Sequence, residues 1–318
     1  MELPTALREA IEHQINGMQS MQMIRDAQAL SLRYRTRSGG GERLLTGEHE
    51  AAAYAVARMP ATFGAIFSSL WQTLLVTGYH PETLLDAGAG TGAASWAADS
   101  LLELKSVTCV ERESAMLKIG KAMMQHGSAV LRSANWIQQD LVQDEPVEQA
   151  SLVIAAYVLN EMTVKERLAA AEKLWNAAGQ ILLLVEPGTP AAFASLMEVR
   201  EHLMHKGAHI AAPCPHQGKC PRFPEDWCHF TCRVARSRLH RQMKGGEAPF
   251  EDEKFSYLAL SRKQSPAADA RVLRHPQIRG GHILLEVCTA QGIQNMIFSK
   301  KDGDGYRKAK KIRAGDAL

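Results

Sequence analysis

Leu84-Leu-Asp-Ala-Gly-Ala-Gly-Thr-Gly92 is an apolar run that closes on an acid and then alternates three glycines with small residues. Ala94-Ser-Trp-Ala-Ala-Asp-Ser-Leu-Leu-Glu-Leu104 follows with a helical look. An apolar strand that ends in a Gly-rich turn and opens a helix is the first βα unit of a nucleotide-type site. Without a Cβ, Gly88, Gly90 and Gly92 let the chain turn sharply and let a ligand approach the backbone. Taken alone, such a turn also fits a dinucleotide site or a merely structural Rossmann turn.

Working outward, Val107-Thr-Cys-Val-Glu111 reads as a second strand that ends in an acid, suited to accept hydrogen bonds from ribose hydroxyls. Trp136–Asp140 reads as a third strand, with Asp140 where an adenine amino group would sit. Ser151–Tyr157 and Gln180–Glu186 supply a fourth and a fifth. All five end on polar or small residues, and open α/β sheets bind ligands beyond the carboxyl ends of their strands. The order D-x-G-x-G-x-G, V-E, D lacks the diphosphate spacing G-x-G-x-x-G and resembles the S-adenosylmethionine-dependent methyltransferases. That resemblance implies a Rossmann-like α/β fold and a cofactor held by Asp86, Gly88, Gly90, Gly92, Glu111, Asp140 and Tyr157.

With 318 residues, 46% hydrophobic and 22% charged, the composition is that of a globular protein of one large or two modest domains. The net charge of +3 hides an asymmetry. Residues 1–200 hold 16 Lys and Arg against 22 Asp and Glu, whereas residues 201–318 hold 21 against 12. The basic C-terminal third suggests an anionic partner such as nucleic acid; a solvated basic surface is the alternative. No run of about twenty apolar residues occurs, so no membrane span is expected. The acidic start Met1–Gln14 shows neither a signal-peptide nor a transit-peptide pattern, and the expected compartment is a bacterial cytoplasm, or the mitochondrial matrix if the chain is eukaryotic.

Four units are expected: helices over 1–78, the Rossmann-like domain over 79–200, a Cys-rich metal-binding insert over 201–250, and C-terminal strands with a basic tail over 251–318. Leu3, Leu7, Ile11, Ile15 and Met18 carry a helical period, and Arg33, Arg35 and Arg37 run into the loop Ser38–Gly41. Tyr54 and Arg58 stand one helical turn apart, facing either the ligand or the core. After the fourth strand, Asn160 and Glu161 are candidate catalytic groups, as is Glu186 after the fifth; the alternative is a helix start capped by Asn160 or Thr163.

Cys214, Cys220, Cys228 and Cys232 are spaced C-x5-C-x7-C-x3-C, with two Cys-Pro steps and His216 and His229 nearby. In a reducing compartment such grouping points to metal rather than disulfides. Tight C-x2-C knuckles of zinc ribbons are absent and the irregular spacing suits an iron–sulfur cluster, with zinc as the alternative. Local spacing makes Cys232 the fourth ligand and leaves Cys109 as buried packing. Arg233, Arg236, Arg238 and Arg241 are expected to form one basic helix face for phosphate contacts. Strands are expected at 255–262, 282–289 and 295–300, followed by the basic extension Tyr306–Arg313.

D-A-G-A-G-T-G, A-Y-V-L-N-E, E-P-G-T-P, P-C-P-H…C-P…W-C and E-K-F-S-Y-L-A-L-S-R occur here in one order. From about residue 45 onward the chain resembles the methyltransferase-like family associated with the mitochondrial small ribosomal subunit, which has bacterial relatives. The resemblance implies a [4Fe-4S] cluster on Cys214, Cys220, Cys228 and the distant Cys288, with Cys232 as the alternative fourth ligand. It further implies S-adenosylmethionine binding, small-subunit (16S-type) rRNA as partner, and a role in ribosome assembly or translation, with a monomer as the default state. The alternatives are an active rRNA methyltransferase and a small-molecule methyltransferase with a structural zinc.

Overall fold

A computed structural model describes residues 1–14, 24–25, 29, 47–244 and 246–318. The helical repeat expected to continue past Gln14 and the cluster Arg33, Arg35 and Arg37 with its glycine loop lie outside the described residues. Among the described residues three helices precede the sheet: α1 (Thr5–Gln14), α2 (Glu48–Ala57) and α3 (Met59–Thr77). The strands β1 (Thr83–Ala87), β2 (Ser106–Glu111), β3 (Asn135–Gln138), β4 (Ala150–Ala156) and β5 (Ala178–Pro187) then alternate with α4 (Ala93–Asp99), α5 (Ser114–Met124), the short α6 (Ala129–Arg132) and α7 (Val164–Ala177). They pair in parallel in the order β3-β2-β1-β4-β5. The order reverses between β1 and β4, the switch point at which a doubly wound sheet opens a ligand crevice.

Helix α8 (Pro190–His205) leads into β6 (His209–Ala212), β7 (Phe230–Ala235), α9 (Arg238–Lys244) and β8 (Phe250–Ser261). The last of these was expected in a separate C-terminal unit. It lies instead in the main sheet, antiparallel between β5 and β6, with Val185 opposite Tyr257, and also pairs with β7. Its second half, Phe255–Ser261, is buried throughout because α3 covers one face of the sheet there and α8 the other. The remaining strands β9 (Ala270–Val272), β10 (Gln277–Arg279), β11 (His282–Thr289) and β12 (Gly292–Ser299) form a second, antiparallel sheet. The expected basic extension is partly helical: α10 (Asp304–Ala309) buries Ala309 against this sheet, and Ala317 bridges back to Arg271.

Two apolar layers cover the main sheet. Helices α1 to α5 pack on one face around Leu7, Phe63, Trp96 and Met123; α7 and α8 pack on the other around Leu174, Trp175, Phe193 and Leu203. Among the described residues α3 is the one helix long and apolar enough to cross a membrane, and most of it is buried within the protein. Thr163, not Asn160, caps α7: Glu166 returns its carboxylate to the Thr163 amide at 2.9 Å, completing a capping box.

Candidate functional site

Beyond the carboxyl ends of β1, β2 and β4 lies a cleft open to solvent, lined among others by Tyr54, Gly88, Gly90, Glu111, Asp140 and Tyr157. Gly88 and Gly90 line it with φ of 70° and 56°, a region that L side chains seldom enter. At Gly88 a Cβ would stand 2.7 Å from Val158 Cγ2, so only hydrogen fits where β1 passes the β4 loop. The amide of Gly90 donates to Glu111 Oε2 at 2.7 Å and that of Glu113 to Oε1 at 2.8 Å. Burial pushes the Glu111 carboxyl up, and these two amides oppose the rise.

Of the residues named from sequence for the cofactor, Gly88, Gly90, Glu111, Asp140 and Tyr157 line the cleft, as does the catalytic candidate Glu161. Asp86 and Gly92 do not. Asp86 is buried behind the turn, where it accepts the Ser95 amide at 3.0 Å and the Ser95 hydroxyl at 2.8 Å, tying β1 to α4; burial raises it to about 6. A Cβ on Gly92 would strike Met124. Glu186 is 1% exposed and lies outside the cleft walls. It takes the Leu159 amide at 2.9 Å and so holds the turn after β4; burial pushes it up to about 8. Asn160 also stays outside the cleft, with a buried Oδ1 that no hydrogen bond reaches among the described residues.

Glu161 faces Arg112 at 3.3 Å, and burial raises its carboxyl to about 7 despite that guanidinium. Tyr157 stands at φ 58°, a strained setting for a side chain other than glycine. Its hydroxyl donates to Glu253 Oε1 at 2.9 Å, and Arg58 approaches the same oxygen at 3.4 Å. Arg58 thus pairs with a strand from the other end of the chain, while Tyr54 lines the cleft. Sequence reading missed Arg112, Gln139, Leu141 and Met162 as lining residues. Arg112 and Gln139 follow the ends of β2 and β3 immediately, and that position was the available signal; Leu141 and Met162 lie further along the loops after β3 and β4.

A second, separate pocket lies between the insert and the C-terminal sheet. Cys214, Cys220, Cys228 and Cys288 all line it, with prolines 213, 215 and 221 and the apolar Phe230, Leu273 and Ile293. Cys232 points elsewhere: it is buried on β7 opposite Glu253, with Sγ 3.0 Å from where a Gly64 Cβ would stand on α3. Cys109 is buried in β2. Among the described residues no three His, Cys, Asp or Glu side chains are grouped to hold a single metal ion. The four thiols surround the pocket instead.

Three guanidiniums surround these thiols. Arg200 and Arg271 favour the Cys214 thiolate, though burial still pushes that thiol up to about 11; Arg222 acts likewise on Cys228 and Cys288. The hydrogen bond with Cys228 brings Cys220 down to about 6. Arg200 Nε and Arg222 Nε are buried donors without a partner among the described residues. Arg222 is offset by ion pairs with Asp226 and Glu286, which leaves Arg200 and Arg271 as the positive charge beside the thiols. Four thiols with buried donors and guanidiniums suit an anionic, thiolate-bound group. The expected basic helix face is not formed. Arg233, on β7, makes two 2.7 Å hydrogen bonds to Asp252, Arg236 pairs with Glu251 at 3.3 Å, and only Arg238 and Arg241 lie on α9.

Relatives align along most of the chain. The human "Ribosome assembly protein METTL17, mitochondrial" is 28% identical over 83% of this chain and 61% of its own length. The Schizosaccharomyces pombe "Rsm22-cox11 tandem protein 2, mitochondrial" is 25% identical over 83% of this chain and 42% of its own. The chain therefore spans about half the length of these curated relatives. Among solved structures, magnesium protoporphyrin IX methyltransferase from Synechocystis with bound S-adenosylmethionine aligns at TM-score 0.43 and 16% identity, covering 75% of this chain and 97% of that one. The N-methyltransferase NodS from Bradyrhizobium japonicum aligns at 0.41 and 10%, over 63% and 86%. The family model described as mitochondrial small ribosomal subunit Rsm22 matches residues 48–318, from α2 through both the cleft and the thiol pocket, and the chain belongs to that family.

Proposed function

We propose that this protein is an S-adenosylmethionine-binding, iron–sulfur assembly factor that docks on the RNA of the small ribosomal subunit. The observation that carries the reading is the pairing of a Rossmann cleft with a second pocket lined by four thiols and ringed by arginines. The name of the human relative supports ribosome assembly as the process, and the positive charge of residues 201–318 supports an anionic partner. In the cleft, Gly88 and Gly90 leave room for the ligand against the backbone, while Glu111 and Asp140 offer carboxylates to its ribose and adenine. The cofactor, when bound, supplies an electrophilic methyl group. Cys214, Cys220, Cys228 and Cys288 would hold a [4Fe-4S] cluster, which supplies a four-point cross-link between the insert and the second sheet.

Assembly is favoured over catalysis because the carboxylates near the cleft are already engaged. Glu111 takes two amides, Glu161 faces Arg112, Glu186 holds the β4 turn, and Glu253 holds Tyr157. An active rRNA methyltransferase is the second reading, favoured by the raised Glu161 at the cleft wall, a group able to take a proton near neutral pH. The related proteins carry mitochondrial names, so the expected compartment is the mitochondrial matrix in a eukaryote and the cytoplasm in a bacterium.

Iron, sulfide and zinc content of anaerobically purified protein, measured with its affinity for small-subunit RNA across a salt series, tests the reading. About four irons per chain, a broad visible absorption band and salt-sensitive RNA binding are expected. Colourless protein with one zinc and no RNA affinity would sink it. Transfer of a labelled methyl group into that RNA would establish the second reading.

A further inference from the structure

Helix α3 turns one flank away from the core. Phe67, Ser68, Trp71 and Leu75 lie along it at helical spacing, with Trp71 50% and Leu75 61% exposed. Facing Trp71 and Phe67 are β7, β8 and the segment Arg313–Asp316, which close a groove of about 1120 Å³ of empty space. The groove is aromatic along its floor: Phe230 lies 5.5 Å from Tyr257 and 6.2 Å from Phe255, ring centre to ring centre. The Tyr257 hydroxyl is buried and has no hydrogen-bond partner among the described residues.

The walls are fixed in place. Arg271, 2% exposed, donates to Gln72 of α3 at 2.7 Å, to the Gly315 carbonyl at 2.8 Å and to the Pro213 carbonyl at 2.8 Å. Gln72 reaches in turn to Asp316 at 3.2 Å. At the rim stand His275 and Arg313. Five and two residues before Arg313, Lys308 and Lys311 are exposed, and none of these three cations has a carboxylate partner among the described residues. Asp304, the nearby acid, is taken by Arg307.

We propose that this groove seats an unstacked, single-stranded stretch of RNA, with Trp71 as the stacking platform and Arg313, Lys311 and Lys308 on its phosphates. The inference rests on the RNA-binding reading above and names the surface that performs it. Trp71 shares the groove with the guanidinium of Arg313, unpaired among the described residues, and Lys311 and Lys308 precede it on the exposed tail. An exposed indole with cations along one path is the combination that grips single strands, because every base has a π-face and every linkage a charge. A base must leave its duplex to reach Trp71, which selects loops and unpaired segments.

The test is a titration of the full chain with a fluorescently labelled ten-nucleotide oligouridylate and with a duplex of equal length, repeated across a salt series. The single strand is expected to bind more tightly than the duplex. Trp71→Ala weakens it by about tenfold, with the salt slope, melting temperature and iron content unchanged, and Trp71→Phe restores most of the affinity. Arg313→Gln and Lys311→Gln each flatten the salt slope by about 0.7. If Trp71→Ala binds RNA like the parent protein, the strand is gripped elsewhere: the inference falls and the assembly reading stands. Loss of self-association or of a protein partner in Trp71→Ala, with RNA affinity intact, overturns it too. If the parent protein binds no RNA at all, the assembly reading itself fails.

Discussion

The cleft takes nearly all of its wall from the strand ends of one contiguous stretch, Gly88 to Met162, with Tyr54 added from α2. The thiol pocket draws three cysteines from the insert, a fourth from β11, and its guanidiniums from α8, the insert and β9. In the first region the backbone shapes the site, through two glycines at positive φ and amides that fix a carboxylate. In the second, side chains from distant segments supply most of the lining, with the amides of Arg222 and Phe223 turned on Cys220, and two buried arginine nitrogens still lack partners among the described residues. A site of the first kind forms whenever its βα units fold. A site of the second kind exists only once distant segments have met, and whatever binds there reports that they have.

Breaking the thiol pocket is expected to have the largest effect. Cys288→Ser should remove the iron and lower the melting temperature, whereas Cys232→Ser should keep the iron, as metal analysis and thermal melts would show. S-adenosylmethionine affinity, read by calorimetry, should change by no more than about twofold in Cys288→Ser, as for separated sites. Loss of iron in Cys232→Ser and not in Cys288→Ser would reverse the ligand assignment.

The converse break is Gly88→Ala, which forces a side chain into the left-handed region and 2.7 Å from Val158. A destabilisation of about 1–2 kcal/mol is expected from the backbone alone. Cofactor affinity should fall by about tenfold or more, with iron content unchanged. An equal loss of iron would show that the two regions fold as one.

A smaller effect sharpens the contrast through pH. Burial lifts Glu186 from 4.5 to about 8, so the folded protein holds a proton there that the unfolded chain has released. Stability is therefore greatest below about pH 4.5 for this group and declines as pH rises through about 8. In thermal melts between pH 5 and 9, Glu186→Gln should flatten that decline. A decline as steep as the parent's would assign it to other groups, Glu161 first among them.

Much of the cleft was legible because its chemistry is local. An apolar strand, a glycine turn and an acid at the next strand end are adjacent in sequence, and they become adjacent in space through a single βα repeat. Asp86 and Glu186 misled for a related reason: an acid at a strand end can face the crevice or turn back to hold a loop, and spacing does not distinguish the two. The pairing of Cys288 with the insert was not readable from spacing, which favoured Cys232. In the structure Cys288 lines one pocket with the three insert cysteines, whereas Cys232 is buried against α3 through a contact that spans more than 160 residues. The arginine face failed because Arg233 falls in a strand, where its partner Asp252 comes from the neighbouring strand β8.

The antiparallel strand between β5 and β6 has a consequence for synthesis. Glu186 finds its strand partner in Ser256. A ribosome adding about 5–20 residues each second leaves the β5 margin bare for on the order of ten seconds after it is made. During that interval an apolar strand presents unpaired amides and carbonyls to its surroundings, the geometry by which chains stick to one another. That edge stays open to such pairing until Ser261 has emerged, so the interval between β5 and β8, rather than the final stability, sets how long the nascent chain can pair with a wrong partner.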